Sequence, residues 1–290
     1  MIQIPSLSFD SVANAVFLIL QEAETILPDD VILSIRNAAE NESNPVAKTQ
    51  LNSILKNIDL AAKKGIPICQ DTGIFIFFVE IGRGLCLDFD IEGAIRNGCV
   101  RATREIPLRP NVVDPLTRHN TGNNIGNGLP EINYSFVPGK TLTITVAPKG
   151  AGSENMSAIR MFNPTEVGKI KEFVAKTVLD AGGKPCPPVV IGVGIGGSFN
   201  QAAKLAKEAL LLPMDCGEIC TETREPAEME ADILQAVNSL GIGCMGLGGD
   251  TTALSVHIKK ASCHTASLPV AVNIQCWANR HATAVYDGGK

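Results

Sequence analysis

The apolar residues of this sequence change period repeatedly, and that alternation confines the chain to folds in which helices pack on sheets. Three helical stretches come first. One covers roughly Phe9 to Leu27, a second follows Asp29 as its cap and runs towards Glu40, and a third starts at Pro45 and ends near Gly65. The run Ile74-Phe-Ile-Phe-Phe-Val-Glu-Ile81 then predicts a buried strand, and Ile91 to Arg104 a helix. Residues 107–130 are rich in Asn, Gly and Pro without period, the composition of a long functional loop. Alternation at Asn133–Phe136 and Thr141–Ala147 predicts a hairpin turning at Pro138-Gly139, followed by a glycine-rich loop, Lys149-Gly-Ala-Gly-Ser-Glu-Asn155. Beyond it, a helix from Pro164 closes at Gly182-Gly183, and Val189–Val193 forms a strand ending in Gly194-Ile-Gly-Gly197. A helix carrying Ala202 to Leu210 and another over Glu225 to Leu240 precede short strands at Leu254–Ile258 and Val270–Ile274. The fold class is therefore α/β in the mixed α+β sense. A helical N-terminal segment leads into mixed layers, and the expectation is one domain over residues 1–290, with no internal repeat.

Composition narrows the partners. An apolar fraction of 45% over 290 residues is ample for a core. Net charge is −5 and no basic run occurs, which disfavours nucleic acid and anionic membranes. The apolar stretch Val12 to Leu20 is broken by Asn14 and is too short to cross a bilayer. It has no basic flank or small-residue cleavage site, so the expected location is the cytoplasm.

Nine cysteines are many for such a chain, and their odd number and irregular spacing do not resemble a secreted disulfide framework. No Cys-x-x-Cys occurs. Two readings stay open: small buried apolar residues, or scattered ligands converging on a metal cluster. Flanking residues separate some of them. Cys69 lies in Pro67-Ile-Cys-Gln-Asp-Thr-Gly73, a turn between a helix end and a strand. Cys186 lies in Lys184-Pro-Cys-Pro-Pro188, where prolines fix the backbone around the sulfur. Cys276 precedes Trp277-Ala-Asn-Arg280 at a strand end. Cys86, Cys99 and Cys244 have undistinguished flanks and read as structural. Cys216 and Cys220 would need two further ligands, and Cys263 adjoins His264.

The glycines after Val193 suggest a nucleotide fingerprint only superficially. Phe199 stands where its third glycine belongs, so tight helix–strand packing explains them better. Asp250-Thr-Thr252 reads as a turn. Taken alone, Arg109 and His264 are an ordinary surface charge and an ordinary polar residue.

Several segments, in order, resemble the α subunits of class I fumarate hydratases and L-tartrate dehydratases. They are Cys69-Gln-Asp-Thr-Gly, Asn120-Thr-Gly, the Lys149 to Asn155 loop, Cys186-Pro-Pro with Gly192-Val-Gly-Ile-Gly-Gly, Gly241-Ile-Gly, and Cys276-Trp-Ala-Asn-Arg. The resemblance runs from about residue 45 to 283. It implies a [4Fe–4S] cluster held by Cys69, Cys186 and Cys276, one iron remaining open as a Lewis acid. It also implies substrate contacts from Gln70, Arg109 and the Gly152 backbone, and active-site roles for Asp71 and His264. Arg109 suits a bidentate carboxylate grip. The loop has Gly-Ala-Gly where the family commonly has three glycines.

Single-chain relatives carry a further C-terminal domain, so the resemblance implies an α member that needs a separate β subunit. An α–α dimer is expected as well. The implied reaction is reversible hydration of fumarate to malate, with L-tartrate dehydration as the alternative. A non-catalytic dicarboxylate or iron–sulfur sensor is a third reading.

Overall fold

The structure, a computed structural model, describes residues 1–214 and 224–288. Cys216 and Cys220 lie outside the described residues. The chain divides into two compact units. One comprises Met1–Pro28, Asn57–Gly150 and the segment from Arg280 onward; the other comprises Asp29–Lys56 and Ala151–Asn279.

In the first unit, helix α1 (Phe9–Thr25) starts where the Ser8 hydroxyl accepts the Ser11 N–H at 3.3 Å. Its apolar stripe, Val12, Val16, Ile19 and Leu20, is fully buried. The stripe packs with α4 (Ile91–Glu105) against strands β2 (Ile74–Gly82), β4 (Leu142–Lys149) and β9 (Ala282–Tyr286). The helices cross closely at Gly98, where a Cβ would lie 2.6 Å from Val16 Cγ1 and 2.7 Å from the Ala13 carbonyl oxygen. With β1 (Ile2–Gln3) and β3 (Glu131–Val137), the sheet order is β1-β9-β4-β2-β3.

The predicted hairpin is not there. β3 and β4 do not pair with each other; β2 lies between them, parallel to β3 and antiparallel to β4. The reversal at Gly139, with φ of +95°, closes around the end of β2 through Gly82 N to Thr141 O and Arg83 N to Val137 O. Residues 138–141 suffice for this, because two strands flanking a third stand only about 9–10 Å apart. The apolar run in β2 calls for pairing on both edges, and that outcompetes the local turn.

In the second unit, β6 (Val189–Gly196) runs parallel to β7 (Ala253–Ala261) and antiparallel to β8 (Leu268–Gln275), with β5 (Ala158–Phe162) outside β8. One face carries α7 (Phe199–Ala209), and the glycine reading is borne out there. A Cβ on Gly192 or Gly194 would sit 2.0 Å from the carbonyl oxygen of Ala206 or Ala202. On the other face Val189, Ile191 and Val193 pack with Val174 and Val178 of α6 (Ile170–Ala181) and with Ile233 and Val237 of α8 (Arg224–Asn238). Helices α2 (Asp29–Asn41) and α3 (Pro45–Lys64) begin close to the residues the sequence marked. The glycine-rich stretch is not wholly loop: Ala151–Glu154 closes into one helical turn, α5. Among the described residues no helix is long and apolar enough to cross a membrane.

Candidate functional site

In the first unit the turn from Cys69 to Gly73 leads into β2. Asp71, half-buried, accepts the Gly73 N–H at 3.0 Å, an Asx turn that fixes its carboxylate. A Cβ on Gly73 would lie 2.7 Å from backbone atoms of Lys149, so glycine permits this close approach. Thr72 is buried, and its hydroxyl accepts the Arg109 N–H at 3.1 Å while donating to the Arg109 carbonyl at 3.2 Å. Asn124, 1% exposed, donates to the same carbonyl and accepts the Asn111 N–H at 2.6 Å. The long irregular segment is thereby fastened to the Cys69 turn. Cys69, Gln70, Asp71 and Arg109 come together, with the Gln70 and Arg109 side chains exposed.

Beneath this turn lies a pair that sequence reasoning missed. Glu24 of α1 and Arg280 are 0% and 2% exposed and joined at 2.6 Å. Burial pushes the Glu24 carboxyl up to about 7 against the pull of Arg280, and the charge of Asp71 raises it further. Arg280 closes the Cys-Trp-Ala-Asn-Arg motif, and that was the only available signal.

In the second unit, Cys186 and Cys276 share one end of the sheet. Antiparallel pairing sets Val190 opposite Gln275, so the chain enters β6 where it leaves β8. Cys186 has φ of +56°, which is costly for a residue with a Cβ. The turn is held by Cys186 N to Gly183 O at 3.1 Å, Met245 N to Pro187 O at 2.8 Å and Trp277 N to Cys186 O at 3.4 Å. The sulfur of Cys276 lies 3.8 Å from the Ala278 carbonyl. Gly152 of α5 belongs to the same end: a Cβ there would lie 3.4 Å from the Lys184 carbonyl, and neighbouring Ser153 donates to Gln275 at 3.5 Å. Glu154 fastens α5 to Lys207 and, at 3.0 Å, to Asn273.

His264 is the exception among the expected residues. It lies in the turn before β8, whereas Cys276 follows that strand's far end. At about 3.3 Å per residue, the strand separates them by roughly 25 Å. His264 is exposed and its Nδ1 accepts the Ala266 N–H at 3.0 Å, so the neutral ring carries its proton on Nε2. Within this unit the full length of β8 therefore stands between His264 and the end of the sheet that carries Cys186 and Cys276.

The remaining cysteines sort by burial. Cys99 and Cys244 are fully buried; burial pushes the Cys244 thiol up to about 12 and the Cys99 thiol higher still, so both are inert packing residues. Cys86 and Cys263 are exposed. Cys69, Cys186 and Cys276 are not in disulfides, and they are half-buried, exposed and half-buried in that order. Among the described residues no three His, Cys, Asp or Glu side chains cluster tightly enough to hold a single metal ion.

Residues 13–285 match the profile of the family described as fumarate hydratase (Fumerase). The chain belongs to the fumarate hydratase family. Its members are hydro-lyases, and this chain is similar along most of its length to curated relatives. One is the putative L(+)-tartrate dehydratase subunit alpha of Methanocaldococcus jannaschii, 47% identical over 276 residues, covering 93% of this chain and 96% of the relative. Another is the L(+)-tartrate dehydratase subunit alpha of Escherichia coli K12, 32% identical over 266 residues, covering 89% of this chain and 85% of the relative.

Proposed function

We propose that this chain is the α subunit of an iron–sulfur hydro-lyase that adds water to fumarate and removes it from malate, working with a separate β subunit. The observation that supports this best is the pair of cysteine turns at one end of β6 and β8, where Cys186 in a strained backbone hydrogen-bonds Trp277 beside Cys276. That strain is unexplained by packing, since Cys186 is exposed. The donor set suits a [4Fe–4S] cluster: Cys69, Cys186 and Cys276 are thiols outside any disulfide, at element ends and none fully buried. When bound, such a cluster supplies a Lewis-acidic iron without a cysteine ligand, suited to a substrate hydroxyl and carboxylate.

The chain's own residues would do the rest. Arg109, exposed but with its backbone locked by Thr72 and Asn124, grips a substrate carboxylate through two parallel N–H bonds. Asp71 orders the hydroxyl or water, its carboxylate oriented by the Gly73 N–H. Gln70 is a further side chain for binding, and the Gly152 N–H, in a first helical turn without an internal acceptor, suits an anion. Proton removal from the neighbouring carbon is left to the β subunit, and His264 keeps the active-site role that the family resemblance gives it. An α–α dimer forms part of the same proposal.

The relatives' names favour a second reading, dehydration of L(+)-tartrate to oxaloacetate. The Gly-Ser-Glu-Asn form of the loop supports fumarate. NMR of fumarate, L(+)-tartrate and mesaconate incubated with the chain, its β subunit and iron–sulfur reconstitution decides between them. Fumarate is expected to turn over fastest. Turnover of tartrate alone would select the second reading, and none on any of the three would favour a sensor.

A further inference from the structure

The buried Glu24–Arg280 pair has no role in the reaction proposed above, and stability explains it poorly. A buried ion pair gains in attraction about what it loses in hydration, and well-packed apolar residues usually do as well. Here Glu24 Oε1 also lacks a partner among the described residues. What the pair does have is unusual reach. The Glu24 backbone carbonyl accepts the Ile68 N–H at 2.8 Å, just before Cys69. Arg280 Nη2 donates to the Asp71 carbonyl at 2.9 Å, just after Gln70. Arg280 Nη1 bonds Glu24 Oε2, so the carboxylate aims the guanidinium that holds the far side of the turn. Asn57 adds a bond to the Ile68 carbonyl at 2.9 Å.

We propose that Glu24 and Arg280 are positioning residues, a two-sided clamp that fixes the Cys69–Asp71 turn so that its sulfur and carboxylate are presented in one geometry. The consequence for a cluster rests on the function proposed above; the clamp itself does not. Arginine is required because one planar fork must meet two acceptors in different directions, and a lysine ammonium on a flexible stem would satisfy one at a time. The carboxylate is required to orient that fork, so the isosteric amide at residue 24 should loosen the turn without opening a cavity.

The test uses the full chain, reduced, anaerobic and free of iron, with Glu24→Gln and Arg280→Lys as separate variants. Iodoacetamide labelling is followed cysteine by cysteine by mass spectrometry, alongside the thermal midpoint. Cys69 is expected to label about tenfold faster in either variant, the change that losing one hydrogen bond to a charged group implies. Cys186 and Cys276 should keep their rates, and buried Cys99 should stay protected. An unchanged Cys69 rate overturns the proposal even where the midpoint falls. So does a parallel rise at Cys99, because the pair would then support the fold at large; Glu24→Gln, the milder change, keeps the test usable if Arg280→Lys fails to fold. No iron is involved, so the clamp and the cluster assignment can fail independently.

Discussion

Replacing Gly194 by alanine puts the packing explanation of the glycine-rich strand end at risk. The new Cβ would lie 2.0 Å from the Ala202 carbonyl oxygen and 2.7 Å from the Ala206 amide nitrogen, where no real Cβ comes closer than 3.0 Å. Helix α7 must therefore retreat from β6 by about 1 Å, loosening the contact of Ala202 and Ala206 with Ala271. Overpacking of this kind costs about 1–3 kcal/mol, and a backbone clash belongs at the upper end. Alanine's lower entropy in the unfolded chain returns less than about 1 kcal/mol, leaving a net loss of about 2 kcal/mol. With a urea slope of about 2 kcal/mol/M, the midpoint should fall by about 1 M. The chain's one tryptophan, Trp277, is buried in the same unit and reports the transition by fluorescence. Gly168→Ala is the control, since nothing lies within 4 Å of a Cβ there. Equal midpoints for the two variants would refute the packing argument and reopen a ligand-binding role for the loop.

Three further outcomes follow from the geometry. Burial lowers the His257 pKa to about 4, so its neutral form stabilises the fold above the usual value of 6.5 and that contribution is lost as pH falls towards 4. The raised Glu24 pKa acts oppositely, with stability greatest below 4.5 and lost as pH rises to about 7. Urea midpoints across pH should therefore flatten on the acid side in His257→Leu and lose their neutral-side decline in Glu24→Gln; unchanged profiles would contradict both assignments. In steady-state assays with the β subunit, Arg109→Lys should raise KM about tenfold or more through loss of the bidentate grip, and an unaltered KM would remove Arg109 from the site. Cys99→Ala should leave iron content unchanged while Cys186→Ser lowers it; the reverse pattern would overturn the burial argument.

The elements legible in the sequence were those with a local signal. Pro45 sits at a helix start, Gly182 at a helix end, and Gly192 and Gly194 under α7. What escaped was pairing at a distance. Nothing local shows that β2 separates β3 from β4, or that the Ala282–Tyr286 strand returns to pair with β4. The site divides similarly. Proline and turn chemistry marked Cys69, Cys186 and Cys276, and the family resemblance gave them a purpose. Glu24 was invisible because a lone acidic residue on an apolar helix stripe looks like a surface residue until Arg280 is brought to it. His264 shows the converse: its role rests on the family resemblance, and nothing local shows that a full strand separates it from Cys276.

Iron content tests the central claim most directly. Anaerobic reconstitution of the chain with iron and sulfide should give a brown protein with about four irons per chain. Each of Cys69→Ser, Cys186→Ser and Cys276→Ser should abolish or sharply reduce that content. A colourless, metal-free chain that still hydrates fumarate with its β subunit would contradict the account.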